Sequence, residues 1–113
     1  MHEFSLAQNI IEIVDETVKK NNASQVSELV LEIGTLSGVE LSALDMAMES
    51  ITPGTILEHA EIKKIIVQAV AVCNHCGKEY QPDDFFSICP ACGQYGANIK
   101  KGKEFRVKSI TAE

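Results

Sequence analysis

Cys73-Asn74-His75-Cys76-Gly77 and Cys89-Pro90-Ala91-Cys92-Gly93 are two knuckles of one design, with twelve residues between the two CxxC pairs. Two residues between thiolates let both sulfurs of a knuckle point at one ion. A glycine after the second cysteine lets backbone N–H groups turn toward those sulfurs. Two such knuckles supply a closed tetrahedral shell of four sulfurs from Cys73, Cys76, Cys89 and Cys92, the donor set of structural zinc. A closed shell leaves no open coordination position, so no catalysis is assigned to it. Iron is a chemical alternative at such knuckles, but intracellular metal supply and the short ribbon favour zinc. Two disulfides conflict with a cytosolic setting, and dithiol redox chemistry uses one CxxC at a helix start. The intervening loop has few apolar residues, so its folding is expected to depend on the metal. Tyr80, Phe85, Phe86 and Ile88 are expected to pack around it. His75 reads first as a solvent-facing knuckle residue, and second as a group that supports a zinc ligand or senses pH.

The segments on either side alternate helix and strand. In residues 6–20, Ala7, Ile10, Ile11, Val14 and Val18 fall on one helical face, with either Ser5 and Gln8 as a capping box or a start one turn earlier, and Asn21-Asn22 as a stop. Residues 26–34 alternate, with Leu29, Leu31 and Ile33 opposed to Glu28 and Glu32, as in a strand with one buried face. After Gly34, Ser37 and Glu40 form a second capping-box pattern. Leu41, Leu44, Met48 and Ile51 then repeat at helical spacing until Thr52-Pro53-Gly54. Residues 61–72 are rich in β-branched side chains and read as a strand partly buried on both faces. Residues 104–111 read as a strand whose parity breaks at Ile110, where a bulge or a strand end is expected. The fold class is therefore α+β. A three-stranded sheet carries two helices on one face, and a four-cysteine zinc-ribbon module is inserted before the last strand. The domains divide as residues 1–72 with 104–113, and residues 73–103.

The chain has 113 residues, 45% of them hydrophobic and 23% charged, and a net charge of −6. This is ordinary globular usage for one small core with a stapled appendage. The charge is uneven: residues 1–62 hold 11 acidic and two basic residues, residues 63–113 five acidic and eight basic. Lys100, Lys101, Lys103, Arg106 and Lys108 cluster past the module. A zinc ribbon with a basic flank can bind nucleic acid, but no aromatic run interleaves with these bases. Internal charge complementarity or protein docking is the favoured reading. No basic region followed by an apolar core marks a signal peptide, and no stretch nears the roughly 18 apolar residues of a membrane span. The cytosol is the expected setting, with neither nucleic acid nor membrane as partner. An exposed final strand offers a route to a homodimer.

Met1-His2-Glu3 opens the sequence. A methionine before a bulky histidine is expected to be retained. Its free α-amine, with a pKa of about 7.7–8.0, is a potential metal ligand. The His2 imidazole can close a chelate with that amine and the intervening amide nitrogen, a donor set suited to square-planar or tetragonal Ni(II) or Cu(II). Glu3 can complete the shell. Taken alone, an N-terminal histidine is more often an ordinary exposed residue; the remainder of the chain changes that weighting.

Met1-His2-Glu3-Phe4-Ser5-Leu6, Leu31-Glu32-Ile33-Gly34, Leu36-Ser37-Gly38-Val39, Pro53-Gly54-Thr55, the two knuckles and Phe105-Arg106-Val107-Lys108-Ser109-Ile110 occur in one order along the chain. In this the chain resembles the HypA/HybF family, nickel metallochaperones of [NiFe]-hydrogenase maturation, over essentially its whole length. The resemblance implies a nickel site at Met1, His2 and Glu3 and structural zinc at Cys73, Cys76, Cys89 and Cys92. It implies a carrier rather than an enzyme. Its partners would be a HypB-type GTPase and the hydrogenase large subunit, with urease maturation proteins as a further recipient in some bacteria.

Overall fold

A computed structural model describes residues 2–113, His2 through its backbone alone. Helix α1 spans His2–Lys20 and α2 Leu41–Ile51. Strands β1 (Val26–Gly34), β2 (Glu61–Val67) and β6 (Phe105–Ala112) form a sheet of order β2-β1-β6. Strands β3 (Val70–Cys73), β4 (Glu79–Tyr80) and β5 (Ala97–Lys101) form a second sheet of order β4-β3-β5. The architecture is α+β, as expected. Contacts gather into two compact units. One holds the chain up to Leu31, Val39–Lys64 and Val107–Glu113; the other holds Glu32–Gly38 and Ile65–Arg106.

In the first unit, the apolar stripe of α1 is buried at Ala7, Ile10, Val14 and Val18, and that of α2 at Leu44, Ala47 and Met48. Leu29 and Leu31 of β1 are buried as well, so the 3.6- and two-residue periods locate the core correctly. Helix α1 ends as its asparagines suggest. Asn22 takes a left-handed φ of 56°, and the Ala23 amide returns to the Val18 carbonyl at 3.0 Å. Helix α2 stops at Thr52, ahead of Pro53 and a left-handed Gly54.

For α1 the earlier of the two starts holds: the helix begins at His2, a turn before Ser5. The Ser37–Glu40 capping box is corrected. The cap of α2 is Glu40 itself, whose carboxylate accepts from the Ser42 amide at 3.0 Å. Gly38 has a left-handed φ of 81°, so no right-handed helix runs on from Ser37. The Ser42 N–H and hydroxyl both donate to Glu40 and hold its carboxyl below the usual range.

The segment 61–72 is two strands, not one. Gln68 and Ala69 separate them, and β2 lies at an edge of its sheet with Ile65 and Ile66 exposed rather than half-buried. Strand β6 runs past Ile110 to Ala112, so the strand does not end at the parity break; inward positions shift from Phe105 and Val107 to Ile110.

Within the second unit, the connecting segments close on one another. A Cβ placed on Gly34 would lie 2.0 Å from the Gly102 carbonyl oxygen, and one on Gly102 would lie 2.3 Å from Ala69 Cα. The backbone bonds that set this approach run from Gly34 to Glu104 at 2.7 Å and from Leu36 to Gly102 at 2.7 Å. The Ala69 amide adds a bond to Thr35 Oγ1 at 2.9 Å. Gly34→Ala therefore forces two backbones apart. It is expected to cost about 1–3 kcal/mol, measured as a lower urea midpoint; an unchanged midpoint would mean that this approach is not tight.

Candidate metal centre

Strand β3 pairs antiparallel with β4 (Ala71 opposite Tyr80) and with β5 (Cys73 opposite Ala97), which places Cys73 where the sheet gives way to the first knuckle. Each knuckle then closes in the same way. The Gly77 amide donates to the Cys73 carbonyl at 3.0 Å, and the Gly93 amide to the Cys89 carbonyl at 2.8 Å. Gly77 and Gly93 have φ of 76° and 75°, a region a side chain would strain. The Cys73 amide donates to the Lys78 carbonyl and the Cys89 amide to the Gln94 carbonyl, both at 3.0 Å.

The four sulfurs lie within 4.8 Å of one another. Cys73 and Cys92 Sγ are 3.5 Å apart, and Cys76 and Cys89 Sγ 3.6 Å. A disulfide bond is roughly 2 Å long, so none is formed. A tetrahedron with metal–sulfur bonds of about 2.3 Å has sulfur–sulfur edges of about 3.8 Å. The observed spacing matches that shell.

The local hydrogen bonds favour the thiolate at Cys73 and Cys89. Amides of Cys76 and His75 donate to Cys73 Sγ at 3.5 and 3.4 Å and bring its thiol down to about 6. The Cys92 and Ala91 amides lower Cys89 in the same way. Cys92 runs the other way: the Gln94 amide pulls it down, but burial and the three neighbouring sulfurs push it up to about 12. Four negative sulfurs at this spacing repel, and a divalent cation removes that conflict. Buried Cys73 and Cys89 alternate with exposed Cys76 and Cys92.

His75 is exposed, as its first reading held, and its Nε2 lies 3.3 Å from the Tyr95 carbonyl, across to the chain beyond the second knuckle. The expected aromatic packing is corrected: Phe85, Phe86 and Ile88 are 51%, 78% and 58% exposed. The turn hydrogen bonds of residues 83–87 turn them outward. Only Tyr80 is half-buried, its hydroxyl 3.5 Å from the Ser87 carbonyl.

Of the N-terminal set, Met1 and the His2 side chain lie outside the described residues. Glu3 sits in the first turn of α1, and its carboxylate accepts from the Glu40 amide at 3.3 Å, at the start of α2. The sequence reading treated Glu40 only as part of a helix start. A contact across 37 residues leaves no trace in local spacing.

In the basic cluster, Lys100 pairs within the basic half of the sequence, with Glu79 at 2.8 Å, whereas Arg106 reaches the acidic half, pairing with Glu32 on β1. Likewise Lys63 pairs with Glu28 at 2.9 Å, which raises the lysine's pKa, and Lys64 with Asp45. No helix among the described residues is long and apolar enough to cross a membrane.

Fold and site together define a small α+β protein with a four-cysteine metal-binding module. The model of the HypA family, described as hydrogenase/urease nickel incorporation, metallochaperone, matches residues 1–112. The hydrogenase maturation factor HypA of Parabacteroides distasonis is 46% identical over 110 residues, covering 97% of this chain and 96% of its own. That of Aquifex aeolicus is 36% identical over 113 residues, covering 100% and 98%. The solution structure of the nickel metallochaperone HypA from Helicobacter pylori shares the fold, with a TM-score of 0.67 at 23% identity over 97% of this chain and 96% of that one. The chain belongs to the HypA family of nickel metallochaperones in hydrogenase maturation. Family membership places it among maturation factors rather than catalysts.

Metal binding at thiolates displaces protons, so the affinity of this centre should fall as pH falls. Acidification from pH 7 toward 4 is expected to release the metal, followed by a chromophoric chelator. Cys89→Ser should lower the metal content per chain by more than half in elemental analysis.

Proposed function

We propose that this chain carries nickel at its N-terminus and hands it on for maturation of [NiFe]-hydrogenase. The Met1 α-amine, the His2 imidazole and amide, and the amide or carboxylate of Glu3 form the nickel set. The observation that carries this reading is the start of α1 at His2. The first four amides of a helix have no acceptor within it. The amides of His2 and Glu3 can therefore lose protons to a metal without breaking the helix. Nitrogen donors packed this closely suit square-planar Ni(II). An end-of-chain site also suits a carrier, because docking can exchange its ligands and release the ion.

Zinc is the metal we assign to Cys73, Cys76, Cys89 and Cys92, where it would serve as a structural tie. Residues 1–72 with 104–113 act as the nickel-binding domain and residues 73–103 as the zinc-binding domain. The partners in this reading are a HypB-type GTPase and the hydrogenase large subunit, with urease maturation as a further recipient, a cytoplasmic setting and a homodimer as the working assembly. A zinc-ribbon module that binds nucleic acid is not favoured. The family match spans nearly the whole chain, and Arg106 and Lys100 are held by carboxylates.

Nickel titration of untagged protein against His2→Ala and an N-terminally extended chain tests the site. Both variants are expected to lose at least tenfold in affinity. Equal binding by all three would overturn the N-terminal assignment. Because amine, imidazole and amide must shed protons, wild-type affinity should fall as pH drops below 7.

A further inference from the structure

A second feature of the cysteine module stands apart from its metal. Tyr80, Pro82, Asp84, Phe85, Tyr95 and Ile99 border one shallow hollow within the second compact unit. Its wall is an ordered turn. The Phe86 amide donates to Asp84 Oδ1 at 2.7 Å, and the Asp83 and Asp84 amides donate to Ser87 Oγ at 3.1 and 3.3 Å. These bonds hold the loop in a form that turns Phe85 toward water, and Tyr95 is exposed to a similar degree. Exposed aromatic surface on an ordered turn is costly unless something covers it.

The local charge says what would cover it. Among the described residues, no lysine or arginine pairs with Asp84, whose carboxylate is aimed by the Phe86 amide. The Asp84 carboxylate therefore gives the hollow a negative wall. Aromatic faces attract a cation through their quadrupole, and a planar guanidinium stacks on them best. A phosphate backbone would be repelled by that carboxylate, and a second copy of the hollow would bring two such carboxylates together.

We propose that this hollow receives a cationic side chain, arginine in preference to lysine, presented by a partner protein that docks on the four-cysteine module. Tyr80, Phe85 and Tyr95 supply the aromatic surface and Asp84 the counter-charge. The site does not depend on the nickel reading.

The test titrates Nα-acetylarginine amide into the full-length, metal-loaded protein and follows ring-proton shifts of Tyr80, Phe85 and Tyr95 by NMR. Saturable shifts confined to these rings are expected. Nα-acetyllysine amide should act at the same rings more weakly, and the neutral isostere Nα-acetylcitrulline amide should leave them unmoved. Tyr95→Ala removes an exposed ring and should weaken binding about fivefold. Asp84→Asn keeps the Oδ1 acceptor for Phe86 but loses the charge, and should weaken arginine binding while leaving metal content unchanged. Equal response to citrulline, unsaturated or absent shifts, or full-strength binding in both variants would overturn the proposal. So would ring shifts produced by a thymidine oligonucleotide and not by the arginine probe.

Discussion

Four sulfurs that must meet within 4.8 Å set the terms for the second unit of this protein. Its buried side chains are few and mostly small: Ile33, Leu36, Ala69, Ala71 and Pro82, besides the cysteines Cys73 and Cys89. So thin a core cannot by itself offset the entropy of ordering the long loop between the knuckles. A metal held by the converged cysteines would offset it instead, and the rest follows from that requirement. Glycines sit where each knuckle turns back, amides point at sulfur, and short strands β3, β4 and β5 hold the ends of the loops.

The charge pattern has a similar local logic. The contrast between an acidic first half and a basic second half is realised as specific pairs: Glu28 with Lys63, Glu32 with Arg106 and Asp45 with Lys64. Pairs of this kind at the surface are worth little each, about 0–1 kcal/mol. Their effect is to match strand against strand and helix against strand, and to neutralise part of the basic charge where it stands at the surface. Net charge alone hides both features.

The N-terminal end shows how an ordinary rule of helices bears on metal chemistry. A helix start leaves amides without acceptors, and here those amides belong to the residues the family resemblance assigns to nickel. The Glu3 carboxylate is meanwhile held by an amide at the start of the second helix. One end of the chain thus combines free backbone nitrogen with a fixed carboxylate, while the four cysteines gather in the other compact unit.

Features that depend on neighbours in the chain were legible from the residues alone. CxxCG spacing placed the knuckles, periodicity placed α1, β1 and α2 and their buried faces, and Asn22 and Gly54 marked the helix ends. These follow from steric and hydrogen-bonding preferences that act within a few residues. The tertiary structure decided what depends on distant partners. It made Glu40 rather than Ser37 the cap of α2, because Gly38 turns the chain first. It divided residues 61–72 where the chain passes from one sheet to the next, and it left Ile65 and Ile66 on an edge. It turned Phe85 and Phe86 outward, because the Asp84 and Ser87 hydrogen bonds fix the turn more strongly than the small core can draw the rings in. A period marks which face of a regular element turns inward, but Phe85 and Phe86 lie in an irregular loop with no period, so their exposure was set by the packed whole.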